Sequence, residues 1–218
     1  MAAKRTPKDP YPALYLEALA YHEAGHAVMA VLLGIPIEKV VIGPNCTEPG
    51  FNGRVFLDFA TLGHRLSARD AALITVASES AERLAPSFSE FATLHKVHRH
   101  LKPFRTGVRN DLAIAFSTVM TVYALLGLAE SSAKQRFKDE YRDLAAAFIE
   151  LTAPAVRELA QRLERRLELD GLEVAGIVRE SGPVAGSDQG RRLEAGLSAL
   201  RSNKVNLFGV LHELTGES

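Results

Sequence analysis

The chain has 218 residues, 47% of them hydrophobic, which is enough for the core of one domain with a small appendage. Lysine plus arginine and aspartate plus glutamate both number 26, so the formal net charge is zero. This balance argues against a dedicated nucleic-acid-binding protein, which usually carries a basic excess. The basic N-terminus is not followed by an apolar run of the signal-peptide type, and a single cysteine excludes an internal disulfide. We therefore expect a cytoplasmic protein.

The first predicted element is a long helix over residues 13–33, in which apolar residues recur on overlapping faces. Pro12 suits the first turn of this helix, and Gly34 and Pro36 are typical of its end. Two histidines and a glutamate lie within the apolar run, where burial is expected. Buried polar groups need partners, and a metal ion is one such partner.

These polar residues form the pattern His-Glu-x-x-His, with His22 and His26 four positions apart and Glu23 next to the first histidine. Side chains at i and i+4 share one face of a helix, so both imidazoles can reach a single tetrahedral Zn²⁺. Glu23 would then lie near the open position, where it can take a proton from a zinc-bound water whose pKa is lowered to about 7. Such a short pattern also arises by chance on surface helices.

Two short strands are predicted next, near residues 38–43 and 53–58. The second begins with Gly53, Arg54 and Val55 and could lie at a sheet edge beside the metal. Zinc peptidases commonly hold an extended substrate by adding it to such an edge. A plain structural strand is the alternative, and the sequence leaves both open.

A capping box at Ser67 opens the next predicted helix, which ends before Pro86. Glu82, near its end, could orient a zinc-bound histidine or be an ordinary glutamate of an amphipathic helix.

The following stretch is predicted as a loop or short helix that carries three histidines among basic residues. These histidines could bind a second metal, but their basic neighbours would disfavour a cation, so a surface loop is the preferred interpretation. The histidines are His95, His98 and His100.

A strongly apolar helix is predicted from Asp111 to Gly127. It is short for a membrane span and contains hydroxyl side chains, so a buried core helix is expected. A catalytic zinc needs a third protein ligand, and Asp111 is the best candidate. From the residues alone, a carboxylate that complements the helix dipole is the preferred interpretation.

The remaining chain is predicted to hold a helix from Ser131 to Leu151, another that starts at Pro154, and a break at Gly171. Residues 181–190 are rich in glycine and serine and are predicted to form a flexible linker. The expected organisation is therefore an N-terminal extension (1–12), a main domain (13–180), this linker, and a C-terminal tail (191–218) with one short helix.

Two segments resemble the protease domain of FtsH-type membrane AAA proteases. Residues 21–28 are similar to the start of that domain. Residues 107–112 match the family's Gly-x-x-Asn-Asp-Leu segment, which implies that Asp111 is the third zinc ligand. Further likeness, in the family's order, is found at residues 39–44, 53–55, 71–84 and 167–174, so the resemblance spans about residues 13–180.

The sequence also departs from this family. It has no P-loop pattern and no membrane helices ahead of the metal helix, and the interval between the two motifs is longer, with the excess near residues 87–105. We therefore expect the chemistry to be retained without ATP-driven unfolding of substrates. No membrane span and no nucleic-acid partner are expected, while a second copy of the chain or a separate delivery protein could be a partner.

The resemblance implies a mainly α fold with a small β-sheet, in which a zincin-like metal helix is followed by a helical bundle. The implied function is a zinc-dependent metalloendopeptidase that hydrolyses flexible or unfolded polypeptides independently of ATP. The alternative is a non-proteolytic partner-binding or regulatory module whose metal site is structural or idle. Glu23 favours the enzyme, because a structural metal site does not need it.

Overall fold

This computed structural model is mainly helical with a small antiparallel sheet, and it describes residues 11–46, 52–58, 60, 66–97, 115 and 130–202. The expected fold class, mainly α with a small β-sheet, is therefore confirmed. The elements are α1 (Tyr11–Leu32), β1 (Ile37–Ile42), a 3₁₀ turn (Gly43–Asn45), β2 (Gly53–Leu57), α2 (Ala68–Glu82), α3 (Phe88–Val97), α4 (Glu130–Phe137), a π-helical segment (Lys138–Arg142), α5 (Asp143–Leu151), α6 (Ala153–Arg166), β3 (Glu168–Asp170), α7 (Gly171–Ser181) and α8 (Asp188–Arg201).

Helix α1 is the centre of the molecule and contacts α2, α6 and the sheet. It was predicted over residues 13–33, and the structure places it at Tyr11–Leu32. Val28 and Met29 are fully buried, and burial of such side chains contributes about 1.5–3 kcal/mol each. The helix ends where Gly34 adopts a positive φ of 74° and its N–H donates to the carbonyl of Val31. A helix that is apolar on nearly every face is buried by its neighbours, which explains the long apolar run in the sequence.

The sheet has the strand order β2-β1-β3, and both pairings are antiparallel. Strand β1 pairs with β2 from Ile37↔Leu57 to Ile42↔Gly53, with an irregularity after Ile37. The two predicted strands are therefore observed within a residue of their expected bounds. Strand β3 was not predicted, because three residues are too few to show an alternating pattern.

Helix α2 begins as the sequence predicted, since the Ser67 side chain accepts a hydrogen bond from the Asp70 N–H at 3.1 Å. It packs closely against α1 at Gly25. A Cβ built on Gly25 would lie 2.6 Å from the Ala81 Cβ and 3.0 Å from the Ala77 carbonyl oxygen. Only glycine at this position allows the two helices to approach so closely.

The C-terminal half completes the core. Helix α5 buries Leu144 and Phe148 completely, and α6 buries Leu159 and Leu163. Leu167 ends α6 with a φ of 63° and leads directly into β3. Gly171, predicted as a break, is the first residue of α7, where a Cβ would overlap the carbonyl oxygen of Ile37.

Helix α8 begins inside the stretch that was predicted as a linker. Its N-cap is Ser187, which accepts a hydrogen bond from the Gly190 N–H. Leu200 is 2% exposed and belongs to the core, and Arg69 of α2 donates to its carbonyl oxygen at 2.8 Å.

Several predicted features lie outside the described residues. They include Asp111, most of the helix expected to follow it, His98 and His100. The histidine-rich stretch begins within α3. Among the helices that the structure describes, none combines the length and the apolar character needed to cross a membrane.

The close approach at Gly25 can be tested by Gly25→Ala. We expect it to lower the free energy of unfolding by about 1–3 kcal/mol, because the added methyl group forces α2 away from α1. The matched control is Gly176→Ala in α7, where a Cβ meets no atom within 4 Å. That change should stabilise the protein by about 0.5–1 kcal/mol, since alanine has the higher helix propensity. Urea denaturation with a metal chelator present measures the free energy of unfolding of each variant. Equal changes in Gly25→Ala and Gly176→Ala would contradict the packing argument.

Candidate metal centre

His22 and His26 face each other on one side of α1. Their Nε2 atoms are 3.1 Å apart, and their rings are nearly perpendicular, with centroids 4.7 Å apart. The spacing of four residues predicted this shared face. His22 is only 7% exposed, so the pair lies at the edge of the core and not on an open surface.

Helix α2 holds both imidazoles by their other nitrogens. The Nδ1 of His22 is 2.7 Å from Oε1 of Glu82, and the Nδ1 of His26 is 2.8 Å from the carbonyl oxygen of Ile74. A carboxylate and a carbonyl can only accept, so each Nδ1 is the donor and carries a proton. In the neutral imidazoles, both Nε2 atoms therefore present lone pairs to each other.

Two lone pairs at this separation repel unless a positive charge lies between them. A shared proton would meet that need, and so would a metal ion. Two nitrogens each about 2.0–2.1 Å from a tetrahedral zinc lie about 3.3 Å apart, close to the separation of the two Nε2 atoms. Carboxylate or carbonyl partners on the far ring nitrogens are also what metal-bound histidines usually have. The histidine pair thus fits a zinc ion in both spacing and orientation.

Glu23 lies beside this pair and against the sheet. It is 4% exposed, and a Cβ built on Gly53 would lie 2.6 Å from its Oε1. The first residue of β2 therefore contacts the carboxylate directly, and any larger residue there would displace it. This contact brings the strand predicted as a substrate edge to the candidate metal centre.

Cys46 lies within reach of two charges of the site. Burial raises the pKa of its thiol, the negative charge of Glu23 raises it further, and Arg54 partly offsets both. The thiol is therefore protonated at neutral pH.

A salt-bridge network joins α2 to the π-helical segment. Arg142, at the end of the π-helical segment, donates to both carboxylate oxygens of Glu79, at 3.0 and 2.6 Å. Arg83 also contacts Glu79, at 2.9 Å. Glu79 lies one turn before Glu82, so the two carboxylates make separate contacts along the same helix, Glu79 with the arginines and Glu82 with His22.

The structure thus brings together most of the residues that the sequence singled out. His22, Glu23, His26, Glu82 and Gly53 form one cluster, with Arg54 and Val55 following on β2. No group of three or more His, Cys, Asp or Glu side chains suited to a metal occurs among the described residues, and Asp111 lies outside them. The Ile74 carbonyl was missed, because a backbone acceptor leaves no signal in the residue types.

No protein-family model and no curated protein matches this chain. The resemblance to FtsH-type proteases accordingly remains a prediction from the motifs.

The role of Glu82 can be tested by Glu82→Gln, with Glu79→Gln on the same helix as the control. Loss of the anionic partner of His22 should weaken zinc affinity about 10- to 100-fold. The control removes a charge one turn away without touching either histidine, so its zinc affinity should stay within about threefold of the parent. Competition with a chromophoric chelator measures both. If Glu82→Gln binds zinc as tightly as the parent, Glu82 does not orient a metal-bound His22.

Proposed function

We propose that this chain is a zinc-dependent metalloendopeptidase with a zincin-like metal helix. One observation carries the proposal: buried His22 and partly buried His26 on α1 bring their Nε2 atoms to 3.1 Å from each other, and the residue next to His22 is a buried carboxylate, Glu23. Zinc peptidases need this set, namely two neutral nitrogen ligands and a base beside the metal.

In this proposal His22, His26 and Asp111 hold the zinc. Asp111 is assigned from its motif and would leave the site with one net positive charge. When bound, zinc would lower the pKa of a coordinated water to about 7 and polarise the scissile carbonyl. Glu82 and the Ile74 carbonyl keep both Nδ1 atoms protonated, so that each Nε2 is available as a ligand.

Glu23 is the proposed general base. Its carboxylate accepts a proton from the attacking water and then donates it to the nitrogen of the leaving amine. Its contact with Gly53 keeps it next to the strand on which a substrate would lie. The same residue thus serves both proton transfers.

The proposed substrates are flexible or unfolded polypeptides. In the described part of the chain, β2 pairs with β1 on one side only, so its other edge can accept an extended peptide. A folded protein rarely offers such a segment, because its own secondary structure occupies the backbone. Hydrolysis by an activated water consumes no ATP, so activity is expected without it.

The base can be tested by Glu23→Gln. Zinc content should stay near one per chain, while peptide turnover should fall about 10²- to 10⁴-fold, the usual contribution of general acid–base catalysis. The His22→Ala, His26→Ala double variant should lose both zinc and activity. Metal analysis and digestion of casein or a peptide library measure these effects. A zinc-loaded parent that cleaves nothing would favour the alternative, a non-proteolytic module with a structural or idle metal.

The third ligand can be tested by Asp111→Asn. If Asp111 binds zinc, the change removes the charge that offsets the cation, so zinc affinity and peptidase activity should both fall by a large factor. Asparagine also serves well at the start of a helix, so a merely structural aspartate would tolerate it at little cost. Zinc titration, turnover and thermal melting of the variant distinguish the two. Normal zinc content with normal turnover would exclude Asp111 as a ligand.

A further inference from the structure

The outer face of the β1–β2 hairpin carries a cationic and aromatic cluster. Arg54 and Phe56 alternate along β2 with Gly53, Val55 and Leu57. Gly53 faces Glu23, while Val55 and Leu57 pack against the core. Successive strand residues point to opposite faces, so Arg54 and Phe56 lie on the face away from Glu23.

Two cations flank the Phe56 ring on this face. The guanidinium carbon of Arg54 is 5.1 Å from the ring centroid, and Nζ of Lys39 is 5.4 Å from it. Lys39 is the β1 residue paired with Phe56 and also approaches Glu168 at 3.9 Å. Glu168 therefore partly offsets the charge of Lys39, and Arg54 lies on the strand nearer the edge.

An extended peptide added to β2 would meet this cluster through its side chains. Residues directly opposite each other on neighbouring strands share a face, with Cβ atoms about 4.5–5.5 Å apart. A peptide residue opposite Gly53 would lie beside Glu23, at the reacting end of the strand. The next residue would lie opposite Arg54, on the outer face and within reach of its guanidinium.

We propose that Arg54, held on the Phe56 ring, selects substrates with an acidic side chain one or two residues from the cleaved bond. This inference rests on the proposed peptidase function and names its substrate class. Arginine is always charged and matches a carboxylate with two parallel donors. A guanidinium already placed over a ring loses less rotamer freedom on binding than one that moves freely.

The alternation of the strand keeps the acidic side chain apart from the catalytic base. Glu23 is reached through the face of Gly53, and Arg54 projects from the opposite face. A substrate carboxylate opposite Arg54 therefore does not face the like charge of Glu23. The same geometry assigns no acidic preference to the residue opposite Gly53 itself.

Arg54 could instead serve only to cover Val41, its partner on β1, which is 2% exposed. A structural role of this kind would affect all peptides equally when Arg54 is changed. A selective role would change the ranking of peptides by charge. Charge-neutral and charge-reversed variants, Arg54→Gln and Arg54→Glu, separate the two.

The test uses labelled peptides that are identical except for Glu, Gln or Lys, placed in turn at each position around the cleaved bond. Binding to the zinc-loaded full chain carrying Glu23→Gln is measured by fluorescence anisotropy, and cleavage by the parent is measured in parallel. Near the cleaved bond, Glu should bind about fivefold tighter than Gln and Lys about fivefold weaker, since one partly exposed ion pair is gained or opposed. The preference should shrink in high salt.

In the Glu23→Gln background, Arg54→Gln should remove the difference in affinity among the Glu, Gln and Lys peptides. Arg54→Glu should invert the order, so that the Lys peptide binds most tightly. Arg191→Gln is the matched control, because this arginine is exposed on α8 and the charge change is the same. The control should keep the full preference for Glu.

Equal binding of the three peptides, no binding of any, or a ranking that survives Arg54→Gln would overturn the inference. Acidic preference in binding without any cleavage would overturn the peptidase function and leave the acidic site standing. Cleavage by the parent at equal rates for the Glu, Gln and Lys peptides would overturn the acidic site and leave the peptidase function standing.

Discussion

The packing of α2 against α1 determines where both histidines point. His22, the earlier residue on α1, contacts Glu82 late on α2, whereas His26 contacts Ile74 early on α2. The two helices therefore run in opposite directions at this contact. Gly25, between the histidines, lets α2 approach until its backbone lies close enough to accept from an imidazole. The separation of the two Nε2 atoms is thus a consequence of helix packing more than of either histidine alone.

The pattern of apolar and capping residues predicted the elements that carry the site. The apolar run of α1, the Ser67 cap of α2 and the alternating residues of β2 are local signals, and each was read within a few residues of its observed bounds. Strand β3 and the start of α8 were not anticipated. Both depend on distant contacts, since β3 exists by pairing with β1, and Leu200 of α8 is buried against the core.

The candidate site was only partly visible in the sequence for a similar reason. His22, Glu23 and His26 are neighbours in the chain, so helix geometry alone predicted their shared face. Glu82 fits either of two roles in the sequence, and its contact with His22 is visible only in the structure. The closeness of Gly53 to Glu23 had no local signal, because a missing side chain matters only when another element fills the space. Asp111 rests on a motif, since only the fold can bring so distant a residue to the histidines.

The two histidines differ in how their orientation is encoded. The partner of His22 is a side chain, so a single codon change can strengthen, weaken or abolish its support. The partner of His26 is a peptide carbonyl, which every amino acid at position 74 supplies alike. The orientation of His26 is therefore insensitive to substitution at position 74, whereas that of His22 depends on which residue occupies position 82. Mutation at position 82, in evolution or by design, can therefore change the support of His22 without replacing a histidine. The support of His26 comes from the backbone of α2 and is kept when the side chain at position 74 changes.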